Sequence, residues 1–195
     1  MAEVAQPSLF ILAGPNGAGK STLYTDRVRP ATRAPFINAD EIARQWAAEG
    51  IERDAYAASR EAAVQRQRLI DERRSFVTET VFSHPSKLAL VETALAAGYR
   101  VVLYHVHVRL PGMSVARVAA RAVVGGHAVP ENKIRERYER NLPLIRQAAA
   151  RASATLVFDN SKRGHPPQWL LSLDHGVVIA QTHRPIPDWA VRLYL

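Results

Sequence analysis

The sequence predicts an α/β domain of the P-loop NTPase type: a parallel sheet flanked by helices on both faces, with a helical, arginine-rich lid. Three observations carry this reading. Short β-type runs alternate with longer segments of helical period along the chain. A complete phosphate-loop pattern follows the first apolar run directly. Residues 117 to 141, RVAARAVVGGHAVPENKIRERYERN, set five arginines and one lysine around a Gly-Gly-His break.

Taken in order, the first strand is read at Ser8 to Ala13 and a helix at Gly19 to Asp26. A strand at Pro35 to Ala39 then feeds a helix at Asp40 to Ala48, opened by the acidic pair Asp40-Glu41. A long helix at Asp54 to Arg73, a strand at Ser75 to Thr80 and a helix at Pro85 to Ala97 follow. The run YRVVLYHVHVRL gives a strand at Tyr99 to Arg109. Next come a helix at Ser114 to Val124, ended by Gly125-Gly126, and one at Pro130 to Ala152, begun by Pro130 and Glu131. Strands at Thr155 to Asp159 and Val177 to Thr182 complete the sheet, and the tail HRPIPDWAVRLYL reads as either a short closing helix or a surface flap.

Composition bounds the function. A chain of 195 residues with 47% apolar content suits a single domain spanning residues 1–195, and no repeat or long linker divides it. The formal net charge of +8 suits an anionic partner, although charge alone would also fit a basic, solubilising surface. The absence of cysteine excludes disulfides and thiolate chemistry. The start, MAEVAQPS, lacks a basic region followed by an apolar run, and no stretch approaches the roughly 18 apolar residues of a membrane span. The expectation is a soluble, cytoplasmic protein with no membrane partner.

The segment Gly14-Pro15-Asn16-Gly17-Ala18-Gly19-Lys20-Ser21, followed by Thr22, fits G-x-x-x-x-G-K-[ST], the Walker A loop, directly after LFILA. Its glycines let backbone N–H groups wrap an anion while the next helix aims its positive end at the same place. Lys20 is expected to reach the β and γ phosphates of ATP, and the Ser21 hydroxyl to ligate Mg²⁺. A Rossmann dinucleotide loop fits poorly, because Gly17-Ala18-Gly19 runs into Lys-Ser-Thr. The wording also suits ABC-transporter ATPases, but their LSGGQ-like signature and the apolar strand ending in Asp-Glu are both missing.

A kinase needs a carboxylate near the transferred phosphate to orient an acceptor hydroxyl. Asp40, where PFINA meets the next helix, belongs in the crevice at the carboxyl ends of the strands. Its alternative role is an ordinary helix cap. Glu79, with Thr80 at the end of SFVTET, faces the same crevice and could bind an acceptor hydroxyl or organise Mg²⁺ through water; the alternative is a strand-end pair with a surface arginine. Along the next strand, alternation sets His105, His107 and Arg109 on one face, so His107 or Arg109 could touch substrate, or serve as structural groups.

The arginines answer to the same chemistry. Arg117 and Arg121 share one helix face; Lys133, Arg137 and Arg140 share another. A corner at Gly125-Gly126 folding over ATP would bring guanidinium groups to the phosphates where charge spreads during transfer. Solvated faces laced with Glu131, Glu136 and Glu139 are the alternative, and the one that suits Arg135. Nucleic acid is a poor partner, because no exposed aromatics are interleaved with this charge.

From Leu9 to Ser161 the chain resembles the zeta-toxin-like P-loop kinases, through AGPNGAGKST, NADEIA, FVTETVFS, the arginine helix with GGHAVPENKIRERYERNL, and VFDNS, in that order. Zeta toxins phosphorylate a hydroxyl of UDP-N-acetylglucosamine with ATP and Mg²⁺ and are held inactive by an antitoxin. The resemblance implies that Lys20 and Ser21 hold ATP and Mg²⁺, that Asp40 is the base, and that Glu79 binds substrate. It further implies that arginines among Arg117, Arg121 and Arg137 clamp phosphates and that Asn160, near the adenine position, contacts nucleotide or simply shapes a turn. Two departures bear on the acceptor: Val81 stands where relatives commonly place threonine, and the chain is short beside the long zeta toxins. Another nucleotide-linked acceptor, or an ATPase switch that transfers nothing, therefore stays open.

Overall fold

In the computed structural model, which describes residues 6–123 and 129–195, strand β1 (Ser8–Ala13) lies third in one seven-stranded sheet. Its neighbours are β3 (Phe76–Thr80) and β4 (Arg100–His107), both parallel to it. Outside β3 lies the short β2 (Phe36–Ile37), and beyond β4 lies β5 (Ala154–Asp159), again parallel. The order is β2-β3-β1-β4-β5-β6-β7, with β6 (Gln168–Asp174) and β7 (Val177–Gln181) antiparallel at the far edge. The chain leaves β1 toward β2 and returns past it to reach β4, so the order reverses at the carboxyl end of β1. In open α/β sheets this is where ligands bind.

Alternation along the central strands sorts the core into two layers. Leu9, Ile11, Ala13, Val101 and Leu103 pack with residues of α4 (Ala55–Asp71), α5 (Ser86–Ala96) and α7 (Glu131–Arg151). Leu12, Val77 and Val106 face the other way, toward Leu23 of α1 (Lys20–Leu23) and Val28. Helix α1 runs through a π-helical segment, Tyr24–Val28, into α2 (Arg29–Thr32), and there Tyr24 stacks on Phe36 of β2 at 3.9 Å. The remaining helices are α3 (Ala39–Ala48), α6 (Pro111–Val123) and α8 (Asp188–Tyr194).

One sequence expectation changes, one of two alternatives is selected, and one lies outside the described residues. The sheet is not wholly parallel: Gln168–Asp174, a segment to which the sequence pattern assigns no element, forms a strand, and the bend His175-Gly176 returns it to β7. The tail closes as helix α8, its Ala190 buried against β6 and its Tyr194 against the central core. The Gly125-Gly126 corner of the lid, with Val124, lies outside the described residues. Among the described residues no helix is long and apolar enough to cross a membrane.

Candidate active site

The phosphate loop is built by close approach. Gly14 has φ 145° and lies so near the Val106 carbonyl that a Cβ would collide with β4; Gly19 has φ 92° and abuts the Asn160 side-chain amide. Glycine relieves both the steric and the backbone demand. Asn160 Nδ2 donates to the Ala18 carbonyl at 2.8 Å, and its own carbonyl accepts from Arg117 at 2.8 Å. Arg117 also donates to the Gly17 carbonyl at 3.3 Å. The loop is thus clamped from β5 and α6 at once.

Lys20 reaches back under the loop, donating to the carbonyls of Gly14 and Pro15, each at 3.0 Å. Its Nζ lies 3.7 Å from Glu79 Oε1, and Ser21 Oγ donates to Glu79 Oε2 at 3.0 Å. One carboxylate at the end of β3 thereby touches both residues assigned to phosphate and metal. Burial pushes the Lys20 ammonium below its ordinary range; Glu79 and Asp40 oppose that shift, and Arg121 adds to it. Asp40 and Arg121 line the same cavity as the lysine.

The alternative role for Asp40 is already filled. Asn38 caps α3, its Oδ1 accepting from the Asp40 N–H at 2.8 Å, so the Asp40 carboxylate is left to the crevice. Thr78 donates to the Ile37 carbonyl at 2.8 Å and fixes β2 against β3 just before Asp40 and Glu79, which line the same cavity. Together Asn16, Gly17, Gly19, Lys20, Ser21 and Thr22 form one wall of a cavity of about 540 Å³, and Asp40, Glu79, Thr80, Arg117, Arg121 and Arg137 also line it. Thr80 accepts from the Phe82 N–H at 3.0 Å and shapes the turn where Phe82 has φ 59°. Gly14, Pro15 and Ala18 are buried behind the loop and frame it.

Several expectations are corrected. His107 is wholly buried and bonds Tyr138 Oη at 3.0 Å with Trp189 packed on its ring, so it is a core residue with no access to substrate. Because Tyr138 Oη donates to the Val108 carbonyl at 2.7 Å, the imidazole supplies the proton to it, and burial pushes His107 down to about 4. Asn160 braces the loop, its Nδ2 donating to the Ala18 carbonyl, and it is not part of the cavity wall. Arg109 holds Ser161 through its backbone N–H at 3.0 Å, and its side chain is not part of the cavity wall. Lys133 and Arg140 both pair with Glu136, and Arg135 with Glu131, which leaves Arg137 as the crevice arginine of α7. Asn38, Ser59, Arg66, Ser83, His84 and Lys87 also line the cavity and were missed. Apart from Asn38, which precedes a helix as a good cap residue, nothing local marks them.

A nucleotide-binding loop joined to a carboxylate and to arginines from two helices is the site of a P-loop phosphoryl-transfer protein. The family model for the zeta toxin matches residues 1–164, and the chain belongs to that family. It is 29% identical over 138 residues to an uncharacterized protein of Haemophilus influenzae, spanning 69% of this chain and 95% of that one. Its fold is similar to a chain of the AvrRxo1-ORF1:AvrRxo1-ORF2 complex, solved with sulphate ions, at TM-score 0.69 and 16% identity over 89% of this chain and 60% of that one. The same complex solved with ATP gives TM-score 0.63 at 15% identity. The PezAT chromosomal toxin–antitoxin system of Streptococcus pneumoniae gives TM-score 0.57 at 14% identity, covering 81% of this chain and 69% of that one. This chain thus spans about 60% of the chain it matches in that complex.

Proposed function

We propose that this protein is an ATP- and Mg²⁺-dependent kinase that transfers the γ-phosphate to a hydroxyl of a nucleotide sugar, with UDP-N-acetylglucosamine as the leading acceptor. The observation that carries the reading is the Asp40 carboxylate, relieved of capping by Asn38 and turned to the cavity that Lys20 enters. In the transfer, the acceptor oxygen bonds to the γ-phosphorus as the bond to the β–γ bridging oxygen breaks. ADP leaves, and the hydroxyl proton passes to Asp40. Lys20, Arg121 and Arg137 stabilise the charge that spreads over the phosphoryl oxygens.

The donor set suits Mg²⁺. Ser21 hydroxyl and Glu79 carboxylate are hard oxygen groups 3.0 Å apart, and no cluster of three or more His, Cys, Asp or Glu offers a complete cage among the described residues. Mg²⁺ is ordinarily held by one or two protein oxygens, phosphates and water. When bound it would neutralise phosphate charge, with Ser21 as direct ligand and Glu79 acting through water.

A protein antitoxin is the proposed partner, in keeping with family membership and with the PezAT toxin–antitoxin neighbour. Incubation with ATP, Mg²⁺ and a panel of nucleotide sugars, followed by mass spectrometry, tests the reading. An acceptor heavier by one phosphate supports it; ADP with every acceptor unchanged rejects it in favour of an ATPase switch.

A further inference from the structure

The cavity continues past Asp40 and Glu79 to a wall whose charge the phosphate loop does not use. Arg66 on α4 and Lys87 in the first turn of α5 both line it, beside Ser59, Ser83 and His84. Both cations are half-buried. Burial pushes each below its ordinary range, no carboxylate opposes the shift in either, and Arg66 pushes Lys87 down further. The carboxylates of these helices are engaged elsewhere. Glu61 accepts from Gln65, Asp71 from Gln67, and Glu92 pairs with Arg151.

Two neighbouring cations withdrawn from water without a counterion are costly to a fold. Lys87 is also on the wrong end of its helix, because the first turn of α5 carries the positive pole and favours anions. An anionic ligand offsets all three penalties at once: burial, mutual repulsion and the helix pole.

We propose that Arg66 and Lys87 form an anion subsite that selects an acceptor bearing a phosphate group and turns its hydroxyl toward Asp40. A carboxylate would neutralise one of the two cations. A phosphate monoester or a diphosphate brings two negative charges, and the planar guanidinium beside a point-charge ammonium suits its several oxygens. The hydroxyl transfer rests on the kinase reading above; the anion grip does not.

Two measurements separate these claims. In the first, inorganic pyrophosphate is titrated calorimetrically into protein saturated with a non-hydrolysable ATP analogue. One further equivalent binds the wild type, and Arg66→Met and Lys87→Met each weaken it about tenfold or more, as the loss of a charged hydrogen-bonding partner requires. Equal affinity in the variants, no binding, or displacement of the ATP analogue overturns the subsite. In the second, acceptors are offered in matched pairs: UDP-N-acetylglucosamine with N-acetylglucosamine, and UMP with uridine. Transfer to phosphate-bearing members, with KM raised more than kcat is lowered in both variants, supports the subsite; equal use of neutral members overturns it. Pyrophosphate binding without transfer to any acceptor would sink the kinase reading and leave the subsite standing. The thermal midpoint reports on structure: both variants should melt at or above the wild type, and melting well below it marks Arg66 or Lys87 as a fold residue and counts against the proposal.

Discussion

Strands β3 and β4 both end in polar side chains, Glu79 and Thr80 in one and His105 and His107 in the other, yet only the first pair meets the crevice. What differs is the cover. Beyond β3 the chain turns through Phe82 and leaves the strand end open to the phosphate loop. Over β4, α7 and α8 bring Tyr138, Trp189 and Tyr194 onto the imidazoles, with Tyr194 Oη 2.8 Å from His105 Nδ1. Polarity at a strand end therefore reports function only when nothing later in the chain packs on it.

The contrast can be broken or sharpened by substitution. Asp40→Asn should have the largest effect, lowering kcat by about 10³-fold with ATP affinity little changed, since a positioned base contributes roughly 10²–10⁴-fold. Wild-type turnover in a phosphoryl-transfer assay would remove Asp40 from the chemistry. Arg121→Ala should lower kcat by about 10²-fold, somewhat less than an arginine finger worth 10³ or more, because Arg117 and Arg137 remain in the crevice. An unchanged rate would return Arg121 to a solvated role. Asn160→Ala leaves the Ala18 carbonyl without its partner and should raise KM for ATP roughly tenfold through a looser loop, the cost of one unmade, partly buried hydrogen bond.

The smallest effect on turnover belongs to the β4 side. His107→Gln should keep near-normal activity while changing how stability depends on pH. Folded His107 takes up a proton only near pH 4, while the unfolded chain does so near its ordinary 6.5. The unfolded state therefore binds protons first as pH falls. The contribution is full above pH 6.5 and lost progressively toward pH 4, about 3 kcal/mol in all. Urea unfolding at pH 7.5 and pH 5 should show this loss in the wild type and a shallower one in the variant; equal slopes would place the titration elsewhere.

Legibility followed locality. The phosphate loop, Asp40 and Glu79 could be read because each is fixed by its own few residues, a glycine pattern or a strand running into a turn. The central parallel strands were readable for the same reason, and β1 falls on its expected bounds. Strand β6 was missed because QWLLSLD follows the turn-forming GHPP and pairs antiparallel with β5, a partner that local pattern does not specify. His107 misled because its alternation is genuine while its cover, α7 and α8, arrives 31 to 82 positions later. Arg66 and Lys87 were invisible for the complementary reason: in AYAASREAAVQRQRLID an arginine looks solvated until α5 is laid beside it.

The clamp on the phosphate loop has one more consequence. The loop's carbonyls are held by Arg117, 100 positions after Gly17, and by Asn160, 142 positions after Ala18. A chain emerging from the ribosome thus exposes its glycines early but finishes the cradle only after β5 has been made. Any product terminated before that strand carries the recognisable motif without the Asn160 brace, so the last tie on the loop is added only once residue 160 has been made.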